Sequence, residues 1–334
     1  MGQASPPATG PQPPPRRGRR RPGRSRFRQA LLTAATVVAL TAAAHSTVPA
    51  PPPAGHAPPT AATLRSVYAA NRANAAEAAA MAAAHGDVRR AAADRALAGR
   101  DLLAFDGRGP GRATEVLGEP RRADRIAVLV PGSDTSIDTY ARFHRAAAAL
   151  YDDLTRRAPA GTRVAVVAWL GYRTPATVST TVTTTARADE AAPRLRALTG
   201  RLRALAPARA RVSLLCHSYG SVVCGRAAHG LDADDIVLVG SPGTGARTVA
   251  GLRTHARVWA ARGGGDWVAH VPHVRAGLLL ATVGFGTDPV SPAFGARVFD
   301  AAGAGHSGYF TPGSAALANL ARITLGEASE VTRA

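Results

Sequence analysis

From residue 125 onward, short apolar runs rich in β-branched residues alternate with longer amphipathic stretches, and this alternation restricts the fold more than any other feature. The runs are RIAVLV (125–130), RVAVVAW (163–169), RVSLLC (211–216), DIVLVG (235–240), HARVWA (255–260) and ARVF (296–299). Each is close to continuous in apolar residues. That pattern belongs to strands covered on both faces in a parallel sheet. Between the runs the spacing predicts helices over about 136–157, 187–206, 219–229 and 245–253, and a last one over about 313–325. Strand alternating with helix implies a doubly wound α/β architecture: a mostly parallel sheet of about six strands with right-handed crossovers. In such sheets ligands bind at the carboxyl ends of the strands. Reactive residues are therefore expected just after these runs.

The first 120 residues read differently. Residues 1–15 are Pro-rich and polar, and residues 16–28 hold eight Arg. Ala30–Ala44 (ALLTAATVVALTAAA) is apolar and uncharged, short for a spanning helix but suited to the apolar core of a signal peptide. Residues 48–59 (VPAPPPAGHAPP) read as an extended linker. The expected location is secreted or membrane-anchored on the outer face of the cytoplasmic membrane, with cleavage of the segment left open. Residues 60–103 are Ala-rich with apolar residues at helical spacing, and GRGPG (107–111) then breaks the chain. The expected organisation is 1–59 as signal peptide or anchor plus linker, 60–120 as a helical N-terminal segment, and 121–328 as the α/β domain.

The formal charge of +19 comes entirely from Arg, for no Lys occurs. With eight Arg in the basic tail, about +11 is left for the remainder. No basic stripe interleaved with aromatics appears, so nucleic acid is not an expected partner. A diffuse positive field leaves association with the cell envelope open. The two cysteines, Cys216 and Cys224, sit at a strand end and two turns into the next helix. The expectation is two small buried hydrophobes without bridging geometry. No metal-ligand cluster, phosphate loop or dinucleotide fingerprint occurs, so no cofactor and no metal is expected. Oligomeric state is not legible.

Reactive residues do follow the runs. After the third comes Cys216-His217-Ser218-Tyr219-Gly220-Ser221, a small-x-Ser-x-Gly turn between a strand and a helix. Such a turn exposes a strained Ser hydroxyl where the following helix N-terminus favours negative charge. A Ser hydroxyl needs a base to take its proton, and in hydrolases with this elbow the acid and then the His follow in the chain. His306, in the Gly-rich loop after the last run, is the expected base. His229 ends a helix and His255 begins a strand, while His270 and His273 are weaker alternatives. The expected acid is Asp266, at the end of the glycine turn GGG (263–265), with Asp288 and Asp300 as runners-up. The oxyanion donors are expected to be the backbone N–H groups of Tyr219 and of Ser133, where Gly132 permits close approach. Asp134 is expected to cap the next helix. Gly171–Thr185 is Thr-rich and expected to border the site or to form a plain loop.

Eight stretches carry a family resemblance: LLAFDGRGPGRA (102–113), IAVLVPG (126–132), VAVVAWLGY (164–172), CHSYGS (216–221), DDIVLVGSPG (234–243), VWAARGGGDWV (258–268), DPVSPAFGARVF (288–299) and GHSGYF (305–310). Through them the chain resembles an actinobacterial α/β-hydrolase family labelled a domain of unknown function, over about residues 100–325. The resemblance implies the α/β-hydrolase fold, a Ser218-Asp266-His306 assignment and an unassigned substrate. It also implies that Gly usually stands where this chain has Cys216. The expected function is a serine hydrolase, an esterase acting on a small-molecule or lipid ester through an acyl-enzyme on Ser218. A thioester, amide or acyl-transfer reaction, or a non-catalytic scaffold on the same frame, is the alternative.

Overall fold

The structure is a computed structural model that describes residues 1–3, 48–55, 59–177, 184–270, 276–278, 281–283 and 285–334. The apolar stretch 30–44, its basic flank, His273 and residues 178–183 of the Thr-rich segment lie outside the described residues. The chain divides into Met1–His45 and Ser46–Ala334, and the second unit holds every element named below. Among the described residues no helix is long and apolar enough to cross a membrane.

Among the described residues two helices come first, α1 (Leu64–Ala84) and α2 (Val88–Ala98). Then come β1 (Leu102–Asp106), β2 (Arg112–Gly118), β3 (Arg125–Val130), α3 (Tyr140–Arg157), β4 (Val164–Leu170), α4 (Ala186–Leu205), β5 (Arg211–His217), α5 (Tyr219–Ala227), β6 (Asp235–Val239) and β7 (Arg257–Ala261). A small hairpin, β8 (Ala276–Leu278) with β9 (Ala281–Val283), precedes β10 (Arg297–Val298) and α6 (Ala315–Leu325). Eight strands form one sheet in the order β1-β2-β4-β3-β5-β6-β7-β10. The six apolar runs supply β3, β4, β5, β6, β7 and β10, all mutually parallel.

Continuous apolar runs are required because each strand feeds two layers. Along β3, Ile126, Val128 and Val130 join the cluster that includes Leu195, Leu198 and Leu202 of α4 and Val222 and Val223 of α5. Ala127 and Leu129 join Ala147, Leu150 and Leu154 of α3 and Leu317 and Leu320 of α6 on the other face. Each Val, Leu or Ile among them, fully buried, contributes roughly 1.5–3 kcal/mol. α6 is delimited by its own ends: Ser314 accepts the Leu317 N–H, and Gly326 adopts φ 89° beyond the last turn.

Two expected features differ. The 60–120 segment is not helical throughout, since β1 and β2 extend the sheet by an antiparallel pair, with β2 antiparallel to β4. β2 reads RATEVLG, whose polar residues hide a strand. Its Glu115 is buried and is met by Arg100 at 3.2 Å, a pairing only the fold creates. The helix expected over 245–253 is reduced to a short 3₁₀ turn, Ala250–Leu252. There the Thr244 hydroxyl accepts the Ala246 N–H and the Thr248 hydroxyl the Gly251 N–H, each at 3.2 Å. Such local bonds satisfy the backbone without a helix.

After β3 the chain pairs β4 on one side, and β5 then takes the other side of β3. The carboxyl ends of β3 and β5 therefore flank a point where successive connections diverge, the usual place for a ligand in an open sheet.

Candidate active site

β5 ends at His217, and the chain turns through Ser218 into α5. Ser218 adopts φ 55°, ψ −126°, a conformation that a non-glycine residue holds only when its surroundings enforce it. The Ser218 side chain makes no capping bond to the helix. Two glycines allow the turn to close. A Cβ on Gly220 would lie 2.5 Å from the Val130 carbonyl oxygen, and one on Gly132 would lie 2.6 Å from the Ser218 Cβ.

The cysteines depart from expectation. Cys216 and Cys224 are joined in a disulfide, with their Cα atoms 6.4 Å apart, and among the described residues no cysteine is free. The sharp turn folds α5 back over β5, which brings the strand end opposite the second turn of the helix. A separation of 6.4 Å is within the reach of a disulfide. Counting residues along the chain misses this, because the approach is made by the elbow rather than by the spacing.

The second half of the site is assembled from two loops. Gly265 and Gly305 form an isolated parallel bridge, and the Gly264 N–H donates to the Ala302 carbonyl at 2.8 Å. The residues that follow the bridge, Asp266 and His306, are thereby set side by side. His306 Nδ1 lies 2.9 Å from Asp266 Oδ1, and His306 Nε2 lies 2.9 Å from Ser218 Oγ. Facing a carboxylate, Nδ1 carries the proton, which leaves the Nε2 lone pair for the hydroxyl.

Asp266 is buried, and its remaining bonds hold its plane. Oδ1 also accepts the Val268 N–H at 2.9 Å, and Oδ2 accepts the Tyr309 hydroxyl. The Tyr309 oxygen in turn accepts the Gly263 N–H at 3.1 Å. Burial, followed by the neighbouring Asp266, pushes the Tyr309 phenol far above its ordinary range, so it remains a donor. His217 supports the opposite partner. Its Nε2 lies 2.6 Å from the His306 carbonyl oxygen, and the two rings are 4.8 Å apart. Burial, then the nearby His306, brings the His217 pKa down to about 4. The ring is thus neutral at pH 7 and donates its Nε2–H to that carbonyl.

Around Ser218 lies a cavity of about 390 Å³, bordered by Ser133, Arg142, Phe143, Trp267 and His306. Such a volume is at the small end of ligand sites. Trp267 is 50% exposed, with its ring centroid 4.6 Å from that of His306. Ser133 lines the cavity together with Ser218, and Tyr219 opens the first turn of α5. The Tyr219 side chain turns inward, donating to the Thr184 carbonyl at 2.7 Å, and burial raises its phenol to about 12.

Asp134 does not cap a helix. It takes φ 57°, its N–H donates to the Pro175 carbonyl at 3.0 Å, and its carboxylate accepts the Thr177 N–H at 3.1 Å and the Thr177 hydroxyl. Tyr172 donates to the Pro131 carbonyl at 2.7 Å. These bonds staple the start of the Thr-rich segment to the 131–135 loop, and Thr177 borders the cavity. The other candidates are engaged elsewhere. Asp288 is paired with Arg262 at 2.6 Å, and Asp300 accepts the Ala302 N–H at 2.6 Å. His229, His255 and His270 are exposed. Tyr309, His217 and Trp267 had no local signal in the sequence, because each acts through a contact with a residue of another loop or with the His306 ring.

A doubly wound sheet with a strained Ser at a strand-to-helix elbow, facing a His and a buried carboxylate, defines a hydrolase-type site. The chain belongs to the alpha/beta hydrolase family, whose model matches residues 106–276. Two uncharacterized proteins from strains of Mycobacterium tuberculosis are 31% identical in an alignment that covers 68% of this chain and 38% of theirs. The chain therefore spans well under half the length of these curated relatives. Solved structures similar to this chain include a serine hydrolase without lid from Xanthomonas campestris, at 18% identity and TM-score 0.40 over 68% of this chain and 92% of that one. The esterase LipW from Mycobacterium marinum is another, at 15% identity and TM-score 0.38 over 80% and 90%.

Proposed function

We propose that the protein is a serine hydrolase that cleaves carboxylic esters through an acyl-enzyme on Ser218. One observation carries this reading: Ser218 Oγ, the His306 ring and the Asp266 carboxylate are joined by two contacts of 2.9 Å each. In the proposed reaction Ser218 Oγ attacks the ester carbonyl while His306 Nε2 takes its proton. Asp266 holds the Nδ1–H tautomer and stabilises the imidazolium. The backbone N–H groups of Ser133 and Tyr219 receive the developing oxyanion. The imidazolium then protonates the leaving alcohol, and a water activated by the same His releases the acid. Tyr309 and His217 are positioning residues, one for the carboxylate and the other for the loop that bears the base.

The proposed location is outside the cytoplasm, secreted or anchored, with lipid or envelope esters as substrates. The basic tail followed by an apolar stretch at 30–44 supports this, as does the disulfide, since such bonds persist in oxidising compartments. The test is labelling of the full chain by a fluorophosphonate, alongside turnover of short 4-nitrophenyl esters. Ser218→Ala is expected to abolish labelling and to reduce kcat by a factor on the order of 10⁴–10⁶. Labelling that persists in the variant refutes the assignment.

A further inference from the structure

The charged groups around the cavity point to the kind of ester it takes, an argument that rests on the hydrolase reading. Two formally charged side chains line the cavity, Asp134 and Arg142. Asp134 is spent on Thr177, one oxygen receiving the N–H and the other the hydroxyl. Arg142 has neither a hydrogen bond nor an ion pair among the described residues, and it is exposed. It lies in the first turn of α3, one turn before Ala146, and Phe143 and Ala146 also line the cavity. Residues at this spacing share a helix face. Phe310, from the loop that carries His306, adds to the apolar lining. Arg142 is also close enough for its charge to contribute to holding the His217 ring neutral.

An apolar wall that shares its helix face with an unpaired guanidinium is complementary to a short chain with an oxyanion at its end. A guanidinium presents a planar fork of donors that matches carboxylate or phosphate oxygens. We infer that the cavity is selective for esters bearing a terminal anionic group, with Arg142 as the specificity-determining residue and Phe143, Ala146 and Phe310 as the wall for the intervening methylenes. The shared chemistry is the anionic head, whether carboxylate or phosphate.

The full chain is assayed with three 4-nitrophenyl esters of similar length: the pentanoate, the hemiglutarate, and a butanoate ending in a phosphate monoester. The readout is the ratio of kcat/KM for each anionic ester to that for the pentanoate. In Arg142→Gln that ratio is expected to fall about tenfold or more, the loss of a charge-assisted contact. Arg142→Lys, a point charge without the fork, is expected to restore it in part, and Arg142→Glu to lower it further. The anionic ester whose ratio falls most identifies the head. Binding of the unreactive amides glutaramate and pentanamide, followed by ligand-observed NMR, gives the same comparison without turnover. Failure of the chain to hydrolyse any ester would count against the hydrolase reading alone, for the amide ratio still decides the role of Arg142. A ratio that is the same in wild type, Arg142→Gln and Arg142→Glu, for esters or amides, overturns the inference.

Discussion

Replacing Cys216 and Cys224 by Ala removes the cross-link that straddles the strained turn at Ser218. The two residues are eight apart in the chain, so the bond closes a short loop. Loop-closure entropy for a loop of that length corresponds to about 2.5 kcal/mol of destabilisation of the unfolded chain, which the variant forfeits. Both side chains are fully buried, so Ala leaves little room beyond a sulfur atom on each side. For a unit of this size, a change of that magnitude lowers Tm by about 5 °C. Calorimetry of the wild type and of Cys216→Ala/Cys224→Ala measures the shift. Either single variant is expected to lose about as much as the double, because each breaks the same bond. Thiol titration in denaturant supplies the independent check, with no free thiol appearing in the wild type until reductant is added. Two titratable thiols without reductant, or a double variant that melts with the wild type, would refute the reasoning.

Other outcomes follow from the contacts of the site. Gly132→Ala places a Cβ 2.6 Å from the Ser218 Cβ and 3.1 Å from the His217 carbonyl oxygen, so the turn must shift and kcat/KM is expected to fall by a factor on the order of 10², readable from steady-state kinetics. Tyr309→Phe leaves a buried Asp266 oxygen without its donor, at about 1–3 kcal/mol of stability, measurable by urea unfolding; unaltered stability and kcat would remove Tyr309 from the assembly. His217 has a folded pKa of about 4 against an ordinary 6.5, so the unfolded chain binds more protons between those values. Its contribution is complete above pH 6.5 and is lost as pH falls toward 4, which His217→Gln is expected to flatten in urea midpoints taken across that interval. Identical slopes in the two proteins would dismiss His217 as the group involved.

Much of this protein was legible in the sequence wherever a local pattern expresses a local cause. The six apolar runs identify buried parallel strands because a strand covered on both faces has no polar alternation to show, and β3 divides its side chains between the two layers accordingly. That Ser218, Asp266 and His306 come together could be anticipated because a doubly wound sheet places strand-end loops on one rim, and each of the three follows a strand run. The polar strand β2, the Cys216–Cys224 bond and the roles of Asp134, His217 and Tyr309 could not be read this way. Glu115 looks like a surface residue until Arg100 meets it, and the two cysteines look distant until the elbow folds α5 over β5. Each of these depends on a partner from another element, or on a reversal of the chain between the two residues. Tertiary structure decides such matters because the free energy of burying a polar group or closing a bond depends on which partner arrives, and periodicity along one segment carries no record of that partner.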